Sequence, residues 1–206
     1  MPKEKTVQKR RRRTPDEARS EALAAARSLL LQAGPDAVTL SAVAKKIGVT
    51  HANLIHHFGS ASDLQAALMG SMVDDLRDAL DAAVARLRTD QSAPRELVDA
   101  VFDAFGEGGA GRLASWIVMT GDTSRLEPVR QAVLGVVDAV DEMAGHDPQL
   151  PRERIKAAVL FIALTAFGDA LIGPPLRDIL GQDDKASRRI MADLLPAFLE
   201  RPKGAG

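Results

Sequence analysis

The chain is expected to fold as an all-α protein of about nine helices, and three observations carry that expectation. Aromatic residues make up only 3% of its 206 residues and Tyr is absent, whereas sheets lean on aromatic and β-branched side chains. The composition leans instead on Ala, Leu, Arg and Asp. Apolar residues, 46% of the total, recur at helical spacing between recognisable caps and breaks.

The elements follow in chain order. Thr14-Pro15-Asp16-Glu17 is a capping box with Pro in the first helical position. Ala18, Glu21, Ala22, Ala25, Leu29 and Ala33 continue that helix, and Gly34-Pro35 stops it. Thr39 caps a short helix reaching Lys46, Gly48 breaks it, and Thr50 caps a third helix reaching Phe58. After Gly59, Ser60-x-x-Asp63 opens a long fourth helix whose stripe is Leu64, Leu68, Met72, Leu76, Leu80, Val84 and Leu87. Helices are then expected over 94–105 and 111–120. Ser124-x-x-Glu127 is read as the capping box of a helix over 125–144. Pro148 and Pro151 bracket the start of one over 152–172, which Gly173-Pro174-Pro175 should end. A last helix covers 184–199, with a kink at Pro196. No strand and no internal repeat is evident.

Several function classes fall away. Without Cys there is neither a disulfide nor a thiolate metal site. No apolar segment follows the basic N-terminus, so no secretory signal is read. The uncharged run Ala157–Gly168 falls short of the roughly 20 residues that span a membrane. The expectation is a soluble cytoplasmic protein without a membrane partner. No Ser/His/Asp set or other nucleophile-and-base constellation stands out, and His146 reads as a loop residue; the chain is not read as an enzyme, and no cofactor is called for.

Charge is spread unevenly although the net is −1. Residues 1–13 carry Lys3, Lys5, Lys9, Arg10, Arg11, Arg12 and Arg13 against Glu4, about +6, while the chain beyond residue 60 sums to about −7. Such an arm is either a solubilising tail or a contact for a polyanion; its place beside the motif described next favours DNA.

That motif is Thr39–Phe58. Val43, Ile47, Val49 and Leu54 are spaced to pack two short helices together, and Ala44 is small where they cross. Gly48 stands where the turn needs a positive φ. The result is a helix-turn-helix whose second helix is free for the major groove. The run Thr39-Leu-Ser-Ala-Val-Ala-Lys-Lys-Ile-Gly-Val-Thr-His-Ala-Asn-Leu-Ile-His-His-Phe-Gly-Ser60, followed by Asp63-Leu64, resembles the tetracycline-repressor family. The resemblance covers residues 14–68 and implies a ligand-responsive DNA-binding repressor, dimeric through its last two long helices, with an effector cavity among its middle helices. Three positions depart from the family pattern. Ile55 and His56 replace a Tyr pair, and Ala61 replaces a Lys that commonly binds phosphate.

Roles follow from position. Thr50 would set its hydroxyl and a helix N-terminus against a phosphate. His51, Ala52 and Asn53 occupy the first turn of the recognition helix; Asn53 could bridge adenine N6 and N7, and Ala52 could meet a thymine methyl. His56 and His57 could each hold a phosphate, Thr39 is a cap first and a phosphate contact second, and Phe58 is a core plug. Arg10, Arg11, Arg12 and Arg13 are expected to add phosphate contacts. The spacing of His51, His56 and His57 does not suit a metal on one helical face. Gly106–Gly111 matches G-x-G-x-x-G, yet a helix and not a strand precedes it, so it reads as a flexible connection.

For the effector, Phe102, Phe105, Trp116, Met119 and Phe161 are either core or pocket residues. Asp169, on an apolar stripe, is either an ion-pair member, an exposed group, or a polar anchor for a ligand or dimer contact. The expected organisation is a basic arm at 1–13, a DNA-binding domain at 14–60, an effector-binding and dimerisation domain at 61–200, and a tail at 201–206. The expected partners are a palindromic double-stranded operator, a small-molecule effector and a second copy of the chain. A helical small-molecule-binding protein that merely carries a helix-turn-helix, or an architectural nucleoid protein, is the alternative; the acidic body argues against wrapping DNA.

Overall fold

The computed structural model describes residues 14–85, 93–145 and 150–199. The arm with Arg10–Arg13, Leu87, His146, Pro148 and the tail lie outside the described residues. Nine α-helices and two 3-10 turns make up the described part.

Helix α1, Pro15–Ala33, opens with the expected reciprocal cap. The Glu17 amide donates to Thr14 Oγ1 at 3.2 Å, and the Thr14 amide donates to Glu17 Oε2 at 2.9 Å. A 3-10 turn at Pro35–Ala37 leads to α2, Leu40–Ile47, capped by Thr39, and then to α3, His51–Phe58, capped by Thr50. Helix α4, Ala61–Val84, starts where Ser60 and Asp63 exchange backbone and side-chain hydrogen bonds of 3.1 Å. Helices α5 (Ala93–Phe105) and α6 (Ala110–Thr120) follow, then a 3-10 turn at Thr123–Leu126. Helices α7 (Glu127–Met143), α8 (Arg152–Leu180) and α9 (Ala186–Leu199) complete the chain.

The side chains sort into two buried clusters. One joins Ala22, Ala26 and Leu30 of α1 to Val43 of α2, Leu54 and Phe58 of α3, Leu64 and Leu68 of α4, and Leu113 and Ile117 of α6. The other joins Val98 and Phe102 of α5 to Ala158 and Ala166 of α8 and Met191 and Leu195 of α9. Apolar burial ties α6 to the helix-turn-helix, and α5, α8 and α9 to each other.

Two stop-and-start signals act differently from expectation. Gly173-Pro174-Pro175 does not end α8, which continues to Leu180. Each Pro removes a ladder hydrogen bond and costs about 3 kcal/mol in a helix interior, so something else must hold the segment. Arg177 pairs with Asp169 across the prolines, and the Ser187 hydroxyl at the start of α9 donates to the same carboxylate at 2.6 Å. Gly173 makes room for this: a Cβ there would lie 2.3 Å from Asp169 Oδ1 and 2.7 Å from Arg177 Nη1. The second signal, Ser124-x-x-Glu127, forms no capping box. The Ser124 hydroxyl donates to Asp122 instead, a 3-10 turn intervenes, and α7 begins after Leu126 without a side-chain cap.

The connection at Gly106–Gly111 is a tight turn. A Cβ on Gly111 would lie 2.9 Å from Ala170 Cβ of α8, so small residues let the α5–α6 corner sit against α8. Helix α8, with a mean hydropathy of 2.0 over its most apolar window, is long and apolar enough to cross a membrane by length and composition, and 17% of that window is buried.

Candidate nucleic-acid interface

Local sequence builds the α2–α3 pair. Gly48, with φ 70° and ψ 38°, turns the chain in the left-handed region, where any other residue would be strained. The Asn53 amide donates to Thr50 Oγ1 at 3.2 Å, and the Ala42 amide to Thr39 Oγ1 at 3.1 Å. Each cap is worth about 1 kcal/mol. The capping oxygen of Thr50 accepts that bond, and its hydroxyl hydrogen stays available to donate outward.

Leu54 and Phe58, one turn apart, are buried at 1% and 7% exposure and fix the rotation of α3. That rotation leaves His51, Ala52, Asn53, Ile55 and His56 exposed on the opposite side, with His57 half-buried at the edge. His51 Nδ1 lies 3.1 Å from the Ser41 hydroxyl of α2. The His56 and His57 rings meet edge-on, with centroids 5.7 Å apart. The outer face of α3 therefore combines donors and acceptors with small and branched apolar groups, the combination that reads base edges.

Three contributors escape sequence reasoning. Arg19 of α1 donates from Nη1 to the His57 carbonyl at 3.0 Å and lays its guanidinium 4.6 Å from the centroid of the Phe58 ring. It thus satisfies the C-terminal end of α3, where a cation also suits the helix dipole. Ser41 fixes the His51 ring. Ile55, 46% exposed, puts a large apolar side chain on the outer face.

The six residues considered for an effector lie in different surroundings. Phe102 is buried in the α5–α8–α9 cluster, with Phe105 and Phe161 packed against it. Trp116 packs against the other cluster, and Asp169 is held by Arg177 and Ser187. Met119 is 86% exposed. Two open grooves among the described residues, of about 650 and 780 Å³, run along α1 and α4 and between α1, α4 and α5, and neither is lined by any of the six.

Comparison with known proteins adds three findings. Residues 22–68 match the description "Bacterial regulatory proteins, tetR family". The HTH-type transcriptional regulator BetI of Rhizobium meliloti (strain 1021) is 31% identical over 101 residues. That segment is 49% of this chain and 49% of the relative, so the match spans about half the relative's length. Among solved structures, the fatty acid degradation regulator FadR from Bacillus halodurans superposes with a TM-score of 0.65 at 14% identity, over 93% of this chain and 100% of that one. The multidrug binding protein EbrR, solved with imidazole, gives 0.60 at 16% identity, over 92% and 99%. At these identities the two structures establish a shared all-α fold.

Proposed function

We propose, from the match of residues 22–68 to the tetR family of bacterial regulatory proteins, that the chain is a cytoplasmic, homodimeric transcription repressor that a small molecule releases from a palindromic operator. The observation that carries this is the outer face of α3: Leu54 and Phe58 bury one side, and His51, Ala52, Asn53, Ile55 and His56 are exposed on the other. In this reading residues 14–60 contact DNA. Thr50 and Thr39 donate to phosphates, Asn53 reads adenine, Ala52 and Ile55 meet thymine methyls, and His56, His57 and Arg10–Arg13 add backbone contacts.

Dimerisation is supported by the faces of α8 and α9 that the single chain leaves bare. Leu164 is 60%, Ile172 56%, Ile179 79%, Leu180 68% and Ile190 55% exposed. Apolar surface of that extent on paired helices marks an interaction site. A twofold dimer sets its two α3 helices about one DNA turn, 34–36 Å, apart and so requires a palindrome. An effector weakens DNA binding only by preferring a conformation that misplaces those helices. The effector reading is supported by the similar fold of the multidrug binding protein EbrR, which was solved with imidazole.

The test is selection from a randomised duplex pool at about 150 mM salt, where sequence-blind phosphate binding is weak. A recovered palindrome, lost in the Asn53→Ala, His57→Ala double variant, is expected. Recovery of salt-sensitive, sequence-blind binding alone would overturn the proposal.

A further inference from the structure

Polar contacts at the junction between the helix-turn-helix and the following helices have no part in the α3 face. Gln65 of α4 is only 5% exposed, and its amide is occupied at both ends. Nε2 donates to the Val38 carbonyl at 3.2 Å, and Oε1 accepts from Arg125 Nη1 at 3.1 Å. One partner only accepts and the other only donates, so a single orientation of the amide satisfies both. Arg125 donates from Nε to Asp122 at 2.9 Å. The Ser124 hydroxyl, and after it the Arg125 guanidinium, hold the Asp122 carboxyl below its ordinary value. The same guanidinium lies 5.5 Å from the Trp116 ring centroid, and Trp116 Nε1 donates to Asp36 Oδ1 at 2.9 Å.

Both routes end on one short stretch. Asp36 lies in the 3-10 turn that precedes α2, and the Val38 carbonyl adjoins Thr39, the N-cap of α2. Apolar contacts in the surrounding cluster tolerate small slides, whereas a buried amide with two obligatory partners tolerates one geometry. We propose that Gln65, Arg125 and Trp116 are positioning residues for DNA reading. They fix where α2 begins relative to the Thr123–Leu126 turn, and a rearrangement of that turn reaches the recognition helix through them. This rests on the regulator reading above.

The test uses the full chain and the selected operator. Gln65→Met and Arg125→Gln are expected to weaken operator binding about tenfold while binding to random duplex stays unchanged, because no phosphate-contacting group is altered. Trp116 is the only Trp and Tyr is absent, so intrinsic fluorescence reports this junction alone. Asp36→Ala, on an exposed side chain, should change the emission of the free protein and weaken operator binding; Asp36→Asn, which keeps an acceptor oxygen, should restore both. Variants that melt earlier yet bind operator within twofold of wild type would reduce the relay to a stability contact and overturn the proposal. So would equal losses on operator and random DNA, or an Asp36→Ala protein with unchanged emission and affinity. If the wild-type chain selects no operator, the function proposed above falls first and takes this inference with it.

Discussion

Ile55 carries the most specific chemistry at the scale of single residues. A branched apolar side chain 46% exposed leaves much of its apolar surface in water, and a thymine methyl in the major groove would cover it. Replacing operator thymines singly by deoxyuridine removes only that methyl. Wild-type affinity should fall a few-fold at one position per half-site, and Ile55→Ala should be insensitive there; equal sensitivity of both proteins, measured by titration, would rule the contact out. Which residues could be read in advance depended on the range of their partners. Thr39, Thr50 and Phe58 announce themselves because caps and core stripes are local patterns. Arg19, Ser41 and Gln65 do not, since their partners stand 38, 10 and 27 positions away. Nothing local distinguishes such a side chain from one that merely faces solvent.

Among the elements, α8 shows a tertiary contact overriding a local signal. Pro174 and Pro175 break the hydrogen-bond ladder, and the Asp169–Arg177–Ser187 contacts span the gap. Gly173→Ala forces a methyl into the ion pair. It should lower stability by about 1–3 kcal/mol, as overpacking does, read as a lower melting temperature; an unchanged melt would show that the pair has room to shift. The start and interior of α8 were legible in its apolar run, but its last turns were not, because the groups that sustain them come from Arg177 and from α9. Ser124 was misread for a related reason: Asp122, two residues earlier, captures the hydroxyl that a capping box would need.

For the whole molecule, two properties can be measured directly. The bare apolar residues of α8 and α9 predict a dimer in detergent-free buffer by analytical ultracentrifugation. Leu164→Glu with Ile172→Glu should yield monomers that bind operator far more weakly, and a wild-type monomer at micromolar concentration would contradict the interface. Charge makes the second property. The basic residues of 1–13 should each add about 0.9 to the slope of log affinity against log salt when they neutralise a phosphate. Removing 1–13 should flatten that slope by several units, and an identical slope would assign the arm no DNA contact. The all-α class was readable from composition and caps, because helix signals are short-range. How the side chains divide between two clusters was not, because Leu113 and Ile117 join a core begun ninety residues earlier in the chain, at Ala22.

That shared core bears on how such regulators can be recombined. A cut after Gly59 would strip Leu113 and Ile117 from the hydrophobic cluster that holds α1, α2 and α3 together, and it would strand Asp36 and Val38 without Trp116 and Gln65. The reading head is therefore not a detachable cassette. A hybrid that exchanges operator preference between two such proteins needs its seams drawn around matched α6 residues as well as matched recognition helices. Where those are mismatched, the chimera should inherit the new DNA-contacting side chains without the new specificity.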